Sequence, residues 1–321
     1  MSAIKPAALS RLKQGGKTST ASVVRSQSLR SVKLREHALA YAFLLPSLAL
    51  FAVFLFYPLF KSVYLSLHLT DPRGRIAAYV GLDNFKELFA SELFYKSLGA
   101  TLSFTAWTVP TGIAAALLLA ALSYRPMRGI KTFRFIFSLP VAISVGTGSV
   151  IWMMLFHPTL GTLNYLLTVV GLPPVQWLTD PSWAMLSISI MTVWMNLGFT
   201  YIVLLSGLQS IPEDIGESAK IDGAGPIRAF FRIMLPLVSP SLFFSAIVSV
   251  IGAFQSFGQI HILTKGGPMN STDVMVFHIY REAFVNFRFG SGSAMALVLF
   301  AIVFLLTIIQ FRFLERKVHY Q

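Results

Sequence analysis

The chain has 321 residues, of which 55% are hydrophobic and only 12% are charged, against about a quarter charged in an ordinary soluble domain. This composition excludes an ordinary soluble protein, because so many apolar side chains need a non-aqueous solvent. The net charge of +13 raises the alternative of nucleic-acid binding, but no aromatic or recognition-helix pattern accompanies the basic residues.

The first 37 residues are basic, with eight Lys or Arg residues against a single acid. They are also rich in Ser and Gly, which predicts a largely disordered cytoplasmic tail up to about residue 32. Its charge favours contact with anionic membrane lipid over nucleic acid. The remaining residues, 38–321, are predicted to form the membrane domain.

Six apolar stretches follow, and each meets the requirement of roughly 18 to 25 residues for crossing a bilayer. They are 38–65, 97–124, 132–156, 184–208, 239–263 and 291–314. Helices are predicted, because an open strand cannot satisfy its backbone in lipid. The fold class is an all-α membrane protein, and the first stretch is read as an uncleaved anchor because it is too long for a signal-peptide core.

The orientation follows from the basic residues, most of which lie in the segments on the side of the amino terminus. Both termini are therefore predicted to be cytoplasmic. The span interiors hold no acid, and Lys61, Arg134 and Arg312 lie at span edges where they can reach the interface. A proton- or ion-coupled carrier usually needs an intramembrane ionisable group, so the energy for any transport is expected to come from elsewhere.

Small residues and prolines within the spans predict details of packing. Gly146, Gly148, Gly198 and Gly252 are expected to permit close helix approach. Kinks are expected at Pro46, Pro110 and Pro140.

Sequence patterns of catalysis are missing. The letters GKT at 16–18 lack the first glycine of a phosphate-binding loop, because Arg11 stands in its place. The six histidines show no metal-ligand spacing, and the absence of cysteine excludes disulfides and thiolate sites. No cofactor, metal or catalytic residue is predicted, so a membrane-embedded enzyme is disfavoured.

The loop between the fourth and fifth stretches, residues 209–240, is the one sizeable inner segment with a net negative charge. Pro212 is suited to begin a short helix with an acidic first turn, which Gly223 ends. A second helix is predicted from Pro226, and Pro236 is expected to end it. Because cytoplasmic lipid is anionic, an acidic hairpin favours a protein partner over a lipid-bound helix.

The spacing of three motifs in this loop resembles the EAA loop of permease subunits in ATP-binding-cassette (ABC) importers. The motifs are ESA at 217–219, DGA at 222–224 and IMLP at 233–236, with Ser218 where the family usually has alanine. The resemblance implies the type I permease fold, with a cytoplasmic coupling-helix hairpin between transmembrane helices 4 and 5. It also implies that ATP is hydrolysed by a separate subunit and that this chain is not an enzyme.

The resemblance assigns a role to each matched residue. The coupling residues are Glu217, Ala219, Asp222, Gly223, Ala224, Leu235 and Pro236. Glu217 would be the charged contact to the ATPase and Gly223 the hinge. The two alanines would allow close approach, and the Leu-Pro pair would be the re-entry into the bundle.

Further segments resemble the carbohydrate branch of that family: YVGLDNFKELF at 79–89, LQSIPED at 208–214 and GGP at 266–268. Residues 221–237 and the carboxyl-terminal QFRFLERKVHYQ are similar to glycerol-3-phosphate permeases. The resemblance implies import of that solute across a prokaryotic plasma membrane. The implied partners are a second permease, two copies of an ATPase subunit and an extracytoplasmic solute-binding protein.

Two clusters of polar residues in the spans are candidates for the solute pathway. They are Asn196, Thr200 and Tyr201 in the fourth span, and Gln255, Ser256 and Gln259 in the fifth. Interhelical hydrogen bonding is the alternative for each of them. Gln255 and Gln259 are four residues apart and are predicted to share a helix face.

The sequence leaves two alternatives for the solute, a charged phosphate compound or a neutral sugar. A phosphate ordinarily calls for Arg or Lys, and none lies deep in a span. The partner permease, or the outer residues Arg281 or Lys265, would have to supply that charge. Otherwise the solute is a neutral sugar or an oligosaccharide of the maltose or trehalose kind. A secondary transporter or channel is disfavoured, because no intramembrane carboxylate or internal repeat is found.

Overall fold

The computed structural model describes residues 29–314, and the chain divides into two units, residues 1–58 and 59–321. In the first unit α1 runs from Leu29 to Phe51 and continues through a π-helical turn, Ala52–Phe56, to the start of α2, Tyr57–Ser66. Helix therefore begins at Leu29, ahead of the predicted boundary at residue 38. Disorder was predicted up to about residue 32, which is wrong for residues 29–32 because they are helical; residues 1–28 lie outside the described residues.

The second unit contains most of α2, which is followed by a small antiparallel hairpin in which His68 pairs with Tyr79. Its strands are β1 (His68–Thr70) and β2 (Ile76–Tyr79). The helices that follow are α3 (Asp83–Ala90), α4 (Glu92–Ser123), α5 (Ile130–Ser138), α6 (Val145–Leu155), α7 (Thr162–Val169), α8 (Pro181–Gln209), α9 (Glu213–Ile221), α10 (Pro226–Ala229), α11 (Leu235–Leu237), α12 (Ser239–Phe254), α13 (Gly258–Leu263), α14 (Met275–Tyr280) and α15 (Phe289–Leu314).

Five helical stretches among the described residues are long and apolar enough to cross a membrane. They are Leu39–Ser66, Glu92–Ser123, Pro181–Gln209, Ser239–Leu263 and Phe289–Phe313. A sixth candidate is the pair Ile130–Ala142 and Val145–Leu155, which is bent by 105° at the break between its halves. The six predicted stretches coincide with these segments to within a few residues.

The bend in the third stretch has a local cause. Pro140 lies in a 3-10 turn, Leu139–Ala142, that follows α5, and the extended residue Ser144 then begins α6. The Ser144 side chain accepts a hydrogen bond from the Thr147 amide at 3.2 Å, so α6 has its own amino-terminal cap. By contrast, α1 and α4 stay continuous through Pro46 and Pro110.

The most extensive helix pair of the second unit is α4 with α8, and α12 packs against both. Ala116 and Ala120 of α4 are fully buried against Tyr201 and Leu204 of α8. Small side chains at this contact let the two backbones approach closely. This pair forms the frame from which the loop after α8 projects.

The predicted packing glycines fall into two groups. A Cβ at Gly198 would lie 2.9 Å from the Ser138 carbonyl oxygen, and one at Gly148 would lie 3.1 Å from Met195 Sδ. These two glycines permit close approach, as predicted. The prediction is wrong for Gly252, where a Cβ would meet nothing within 4 Å, and for Gly146, where the nearest atom is 3.9 Å away.

Candidate functional site

The loop after α8 folds as the predicted two-helix hairpin, and its first arm is α9. Glu213 and Asp214 lie in the first turn of α9, where the helix dipole favours acids. At its end the Ala224 amide donates to the Ala219 carbonyl at 2.9 Å, and Gly223 has φ of +75°. This is the Schellman ending, in which glycine tolerates the left-handed residue at little cost.

The second arm continues further than the sequence predicts. α10 begins with Pro226 as its first residue and passes through a π-helical turn, Phe230–Met234, into α11. Pro236 lies inside α11 and does not end the arm, which leads through Val238 directly into α12. The π turn shifts the hydrogen bonds, since the Leu235 amide donates to the Phe230 carbonyl, and a proline just beyond it is accommodated.

The predicted coupling residues differ in exposure. Glu217, Asp222 and Gly223 are exposed, whereas Ala219 is buried and Ala224 is partly buried. Leu235 and Pro236 are partly buried where the second arm joins the bundle. The hairpin thus presents a polar edge at Glu217 and Asp222.

Large apolar side chains are exposed beside that polar edge. Ile221 is 86% exposed, Ile227 75% and Phe231 61%. Side chains of this size on an exposed tip are typical of a surface that a partner covers.

The base of the hairpin is fixed in the core of the second unit. Leu208 and Ile211 at the end of α8 and Val238 at the start of α12 are buried in one cluster with Tyr201 and Leu204. Between the hairpin and the turn after α4 lies a cavity of about 440 Å³, lined on one side by Tyr124, Arg125 and Pro126 and on the other by residues of α9 and α10.

The predicted pathway residues on α8 lie in different environments. Asn196 is exposed, Thr200 is 5% exposed and Tyr201 is fully buried. The Tyr201 hydroxyl lies 2.7 Å from Ser123 Oγ, which is also buried. Tyr201 therefore makes the interhelical hydrogen bond that was the alternative to a pathway role, and Asn196 is the α8 residue left open to a pathway.

The predicted shared face of Gln255 and Gln259 is wrong, because the helix breaks between them. α12 ends at Phe254 and α13 begins at Gly258. Gln259 is buried and donates to Thr192 Oγ1 at 3.3 Å, while Gln255 is exposed. Ser256 donates to the Gly252 carbonyl at 3.0 Å, so of these three it is Gln255 that presents an exposed amide.

A buried ionic cluster follows α13, and the sequence analysis missed it. Asp273, which is 1% exposed, accepts from Arg281 Nη2 at 2.7 Å and from Ser97 Oγ at 3.3 Å, and His278 Nδ1 lies 2.9 Å from the same oxygen. Arg281 also donates to Asn270 Oδ1 at 3.2 Å. The i, i+3 spacing of the histidine and arginine was a signal that they share a face. Arg281, one of the predicted sources of charge for a phosphate, is thus already paired with an acid.

These helices and the hairpin define the class of the protein, a multi-span transport permease. The chain belongs to the binding-protein-dependent transport system inner membrane components, whose family model matches residues 97–320. It is 38% identical over 286 residues to the sn-glycerol-3-phosphate transport system permease protein UgpA of Yersinia enterocolitica, covering 88% of this chain and 96% of that protein. The Agrobacterium fabrum protein of the same name is 35% identical and is covered completely, by 91% of this chain.

A solved structure shows the same fold. A chain of the crystal structure of a bacterial alginate ABC transporter, in complex with an alginate pentasaccharide-bound periplasmic protein, superposes with a TM-score of 0.79. The two chains are 26% identical, and the match covers 88% of this chain and 96% of that one. The predicted resemblance to ABC-importer permeases is therefore confirmed.

Proposed function

We propose that this chain is a six-span permease subunit that forms part of the translocation pathway for sn-glycerol-3-phosphate in an ATP-driven, binding-protein-dependent importer. The observation that carries the proposal is the hairpin from α9 to α11, which has an exposed acidic edge and a base buried in the α4–α8 core. The similarity to glycerol-3-phosphate permeases over 88% of the chain supports the solute.

The hairpin is proposed to be the contact with a cytoplasmic ATPase subunit. Glu217 would pair with a basic group of that subunit, and the exposed Ile221 and Ile227 would be covered by it. The first arm is separated from α8 by three residues, and the second arm runs into α12 with only Val238 between helices. A displacement of the hairpin would therefore be delivered to both α8 and α12.

The proposed solute pathway uses the exposed amides. Asn196 on α8 and Gln255 at the end of α12 can exchange hydrogen bonds with a polyhydroxylated solute. Because Arg281 is paired with Asp273, we assign the cation that binds a phosphate to the second permease or to the exposed Lys265. A neutral sugar is the competing solute, since two exposed amides match its hydroxyl groups without any charge.

The proposed assembly contains a second permease in a heterodimer, two ATPase subunits and an extracytoplasmic solute-binding protein. The larger share of Lys and Arg residues lies in the amino-terminal segment and the connected inner loops, which supports cytoplasmic termini. In this orientation the hairpin faces the cytoplasm and the Asp273 cluster faces the opposite side.

The test reconstitutes the chain with its second permease, ATPase and binding protein in proteoliposomes, and measures ATP hydrolysis with glycerol-3-phosphate or maltose-like sugars. Stimulation by glycerol-3-phosphate alone is expected. Stimulation by neutral sugars alone would overturn the solute and favour Asn196 and Gln255 as its contacts. No stimulation by any solute would overturn the importer itself and favour a carrier or channel.

A further inference from the structure

Arg134 of α5, which was predicted to reach the interface from a span edge, lies at the ends of two long helices. It is partly buried, and its Nε and Nη2 donate to the Ser123 carbonyl at 3.0 and 2.6 Å. Nη2 also lies 3.2 Å from the Tyr124 carbonyl. Ser123 is the last residue of α4, so the guanidinium neutralises the carbonyls that a helix leaves unpaired at its carboxyl terminus.

The same guanidinium reaches the end of α8. With its amide turned so that Oε1 faces the guanidinium, Gln209 accepts from Nη2 and Nη1 at 2.9 and 3.0 Å. Gln209 is the last residue of α8, and α9 begins four residues later at Glu213. One side chain therefore joins the end of α4 to the residue from which the hairpin departs.

Hydrogen bonds and ring packing around Ser123 stabilise this junction between α4, α5 and α8. Ser123 Oγ donates to the Leu119 carbonyl at 2.7 Å and lies 2.7 Å from the buried Tyr201 hydroxyl. The Phe137 ring packs edge-on against Tyr201, with ring centroids 6.5 Å apart. Ser123 and Tyr201 are both fully buried, and a buried hydrogen bond is stronger than one in solvent. The bonds from the guanidinium have a charged donor, which roughly doubles their strength relative to neutral ones.

We infer that Arg134 is a positioning residue for coupling: it holds the base of the hairpin at a fixed distance from α4. A displacement of the hairpin then moves α4 together with α8, instead of being taken up in the three residues between α8 and α9. The inference rests on the proposed function, since it assumes that an ATPase moves the hairpin. The planar guanidinium serves both helix ends at once, which a lysine ammonium on one stem does less well.

The test uses the complete transporter in proteoliposomes and measures solute imported per ATP hydrolysed for Arg134→Gln, Arg134→Lys and Arg128→Gln. Arg128 is an exposed residue of the turn between α4 and α5 and is the matched control. We expect Arg134→Gln to assemble and hydrolyse ATP, with the import ratio lowered at least about fivefold, the lower end of typical coupling factors. The lysine variant should be intermediate, and Arg128→Gln should match the wild type.

A merely structural role predicts a different pattern. Import and ATP hydrolysis would then fall together, in proportion to the amount of assembled complex. The ratio of import to ATP hydrolysis would stay at the wild-type value, and this result would overturn the inference.

If Arg134→Gln does not assemble, Gln209→Leu provides the test, because it removes the bonds from Arg134 to α8 and keeps those to α4. An unchanged ratio in Gln209→Leu would overturn the inference, and a lowered ratio supports it. Failure of the proposed function is visible separately, as a wild-type complex whose ATP hydrolysis does not respond to the loaded binding protein.

Discussion

Replacing Gly198 by alanine tests how tightly α8 packs against the turn that bends the third stretch. The new Cβ would lie 2.9 Å from the Ser138 carbonyl oxygen, 2.9 Å from the Val141 amide nitrogen and 3.3 Å from Val141 Cβ. Two of these atoms belong to backbone, which cannot rotate away as a side chain does. The helix and the turn must separate by a few tenths of an ångström, and overpacking of this kind costs about 1–3 kcal/mol.

Gly252→Ala is the matched control. It is also a glycine inside an apolar helix, but it is exposed and a Cβ there meets nothing within 4 Å. Both variants gain roughly 1 kcal/mol of helix propensity, so the difference between them isolates the overpacking term. Gly252→Ala should be stabilised, whereas Gly198→Ala should be near neutral or destabilised by up to about 2 kcal/mol.

Thermal unfolding in detergent, followed by fluorescence-detected size exclusion, measures the difference. Since 1 kcal/mol shifts Tm by about 2–4 °C in domains of roughly 150–250 residues and by less in a longer chain, Gly198→Ala should melt below Gly252→Ala by up to about 12 °C. Equal Tm values, or a higher Tm for Gly198→Ala, would refute the close approach of α8 to this turn.

Three other predictions concern single substitutions. Asp273→Ala removes the buried acid that pairs with the partly buried Arg281 and should cost up to about 3–5 kcal/mol. Asp83→Ala at an exposed pair should cost at most about 1 kcal/mol; similar Tm losses from the two variants would contradict the burial of Asp273. At position 223 an added Cβ would meet no atom within 4 Å, but the backbone has φ of +75°. Gly223→Ala should therefore destabilise the hairpin by about 1–2 kcal/mol and speed amide hydrogen exchange at Ala224. Unchanged exchange at Ala224 would contradict the Schellman ending. Tyr201→Phe removes the hydroxyl that bonds to Ser123 and should lower stability by about 0.5–1.5 kcal/mol in the same melting assay. The solute concentration for half-maximal import should not change. A changed concentration would show that Tyr201 contributes to the solute pathway.

The parts of the fold that were predicted correctly depend on local chemistry. The helical stretches follow from continuous hydrophobicity, and the first arm of the hairpin follows from an acidic first turn and from Gly223 at its end. Each of these signals lies within a few residues of the feature it determines. The motif spacing shared with ABC-importer permeases then located the hairpin between the fourth and fifth stretches.

The parts that failed depend on contacts between distant segments. The break between α12 and α13, residues 255–257, contains no proline. It brings Gly258 close to α6, where a Cβ would lie 2.8 Å from Val145 Cγ1, and it lets Gln259 reach Thr192. Likewise, the sequence around Gly198 and Gly252 does not reveal which glycine faces a backbone. Only the packing of the helices decides these features.

The ionic cluster and the Arg134 junction were missed for the same reason. Asp273 meets Ser97 across 176 positions of sequence, and no local pattern marks that pairing. Arg134 was predicted to reach the membrane interface because it lies at a span edge. Its bond to the Ser123 carbonyl was missed, because the turn between α4 and α5 sets the distance between these two groups. Charged residues near span ends are therefore read correctly only when the helix ends around them are placed.

The most direct test of the account is a cross-link from Glu217 to the ATPase subunit. The chain has no cysteine, so Glu217→Cys and a control, Tyr165→Cys on exposed α7, each carry a single thiol for a photoactivatable cross-linker in the complete transporter. The account predicts an ATPase cross-link from position 217 whose yield changes when ATP binds, and none from position 165. No ATPase cross-link from position 217, or equal yields from both positions, would contradict the claim that this hairpin joins the permease to its ATPase.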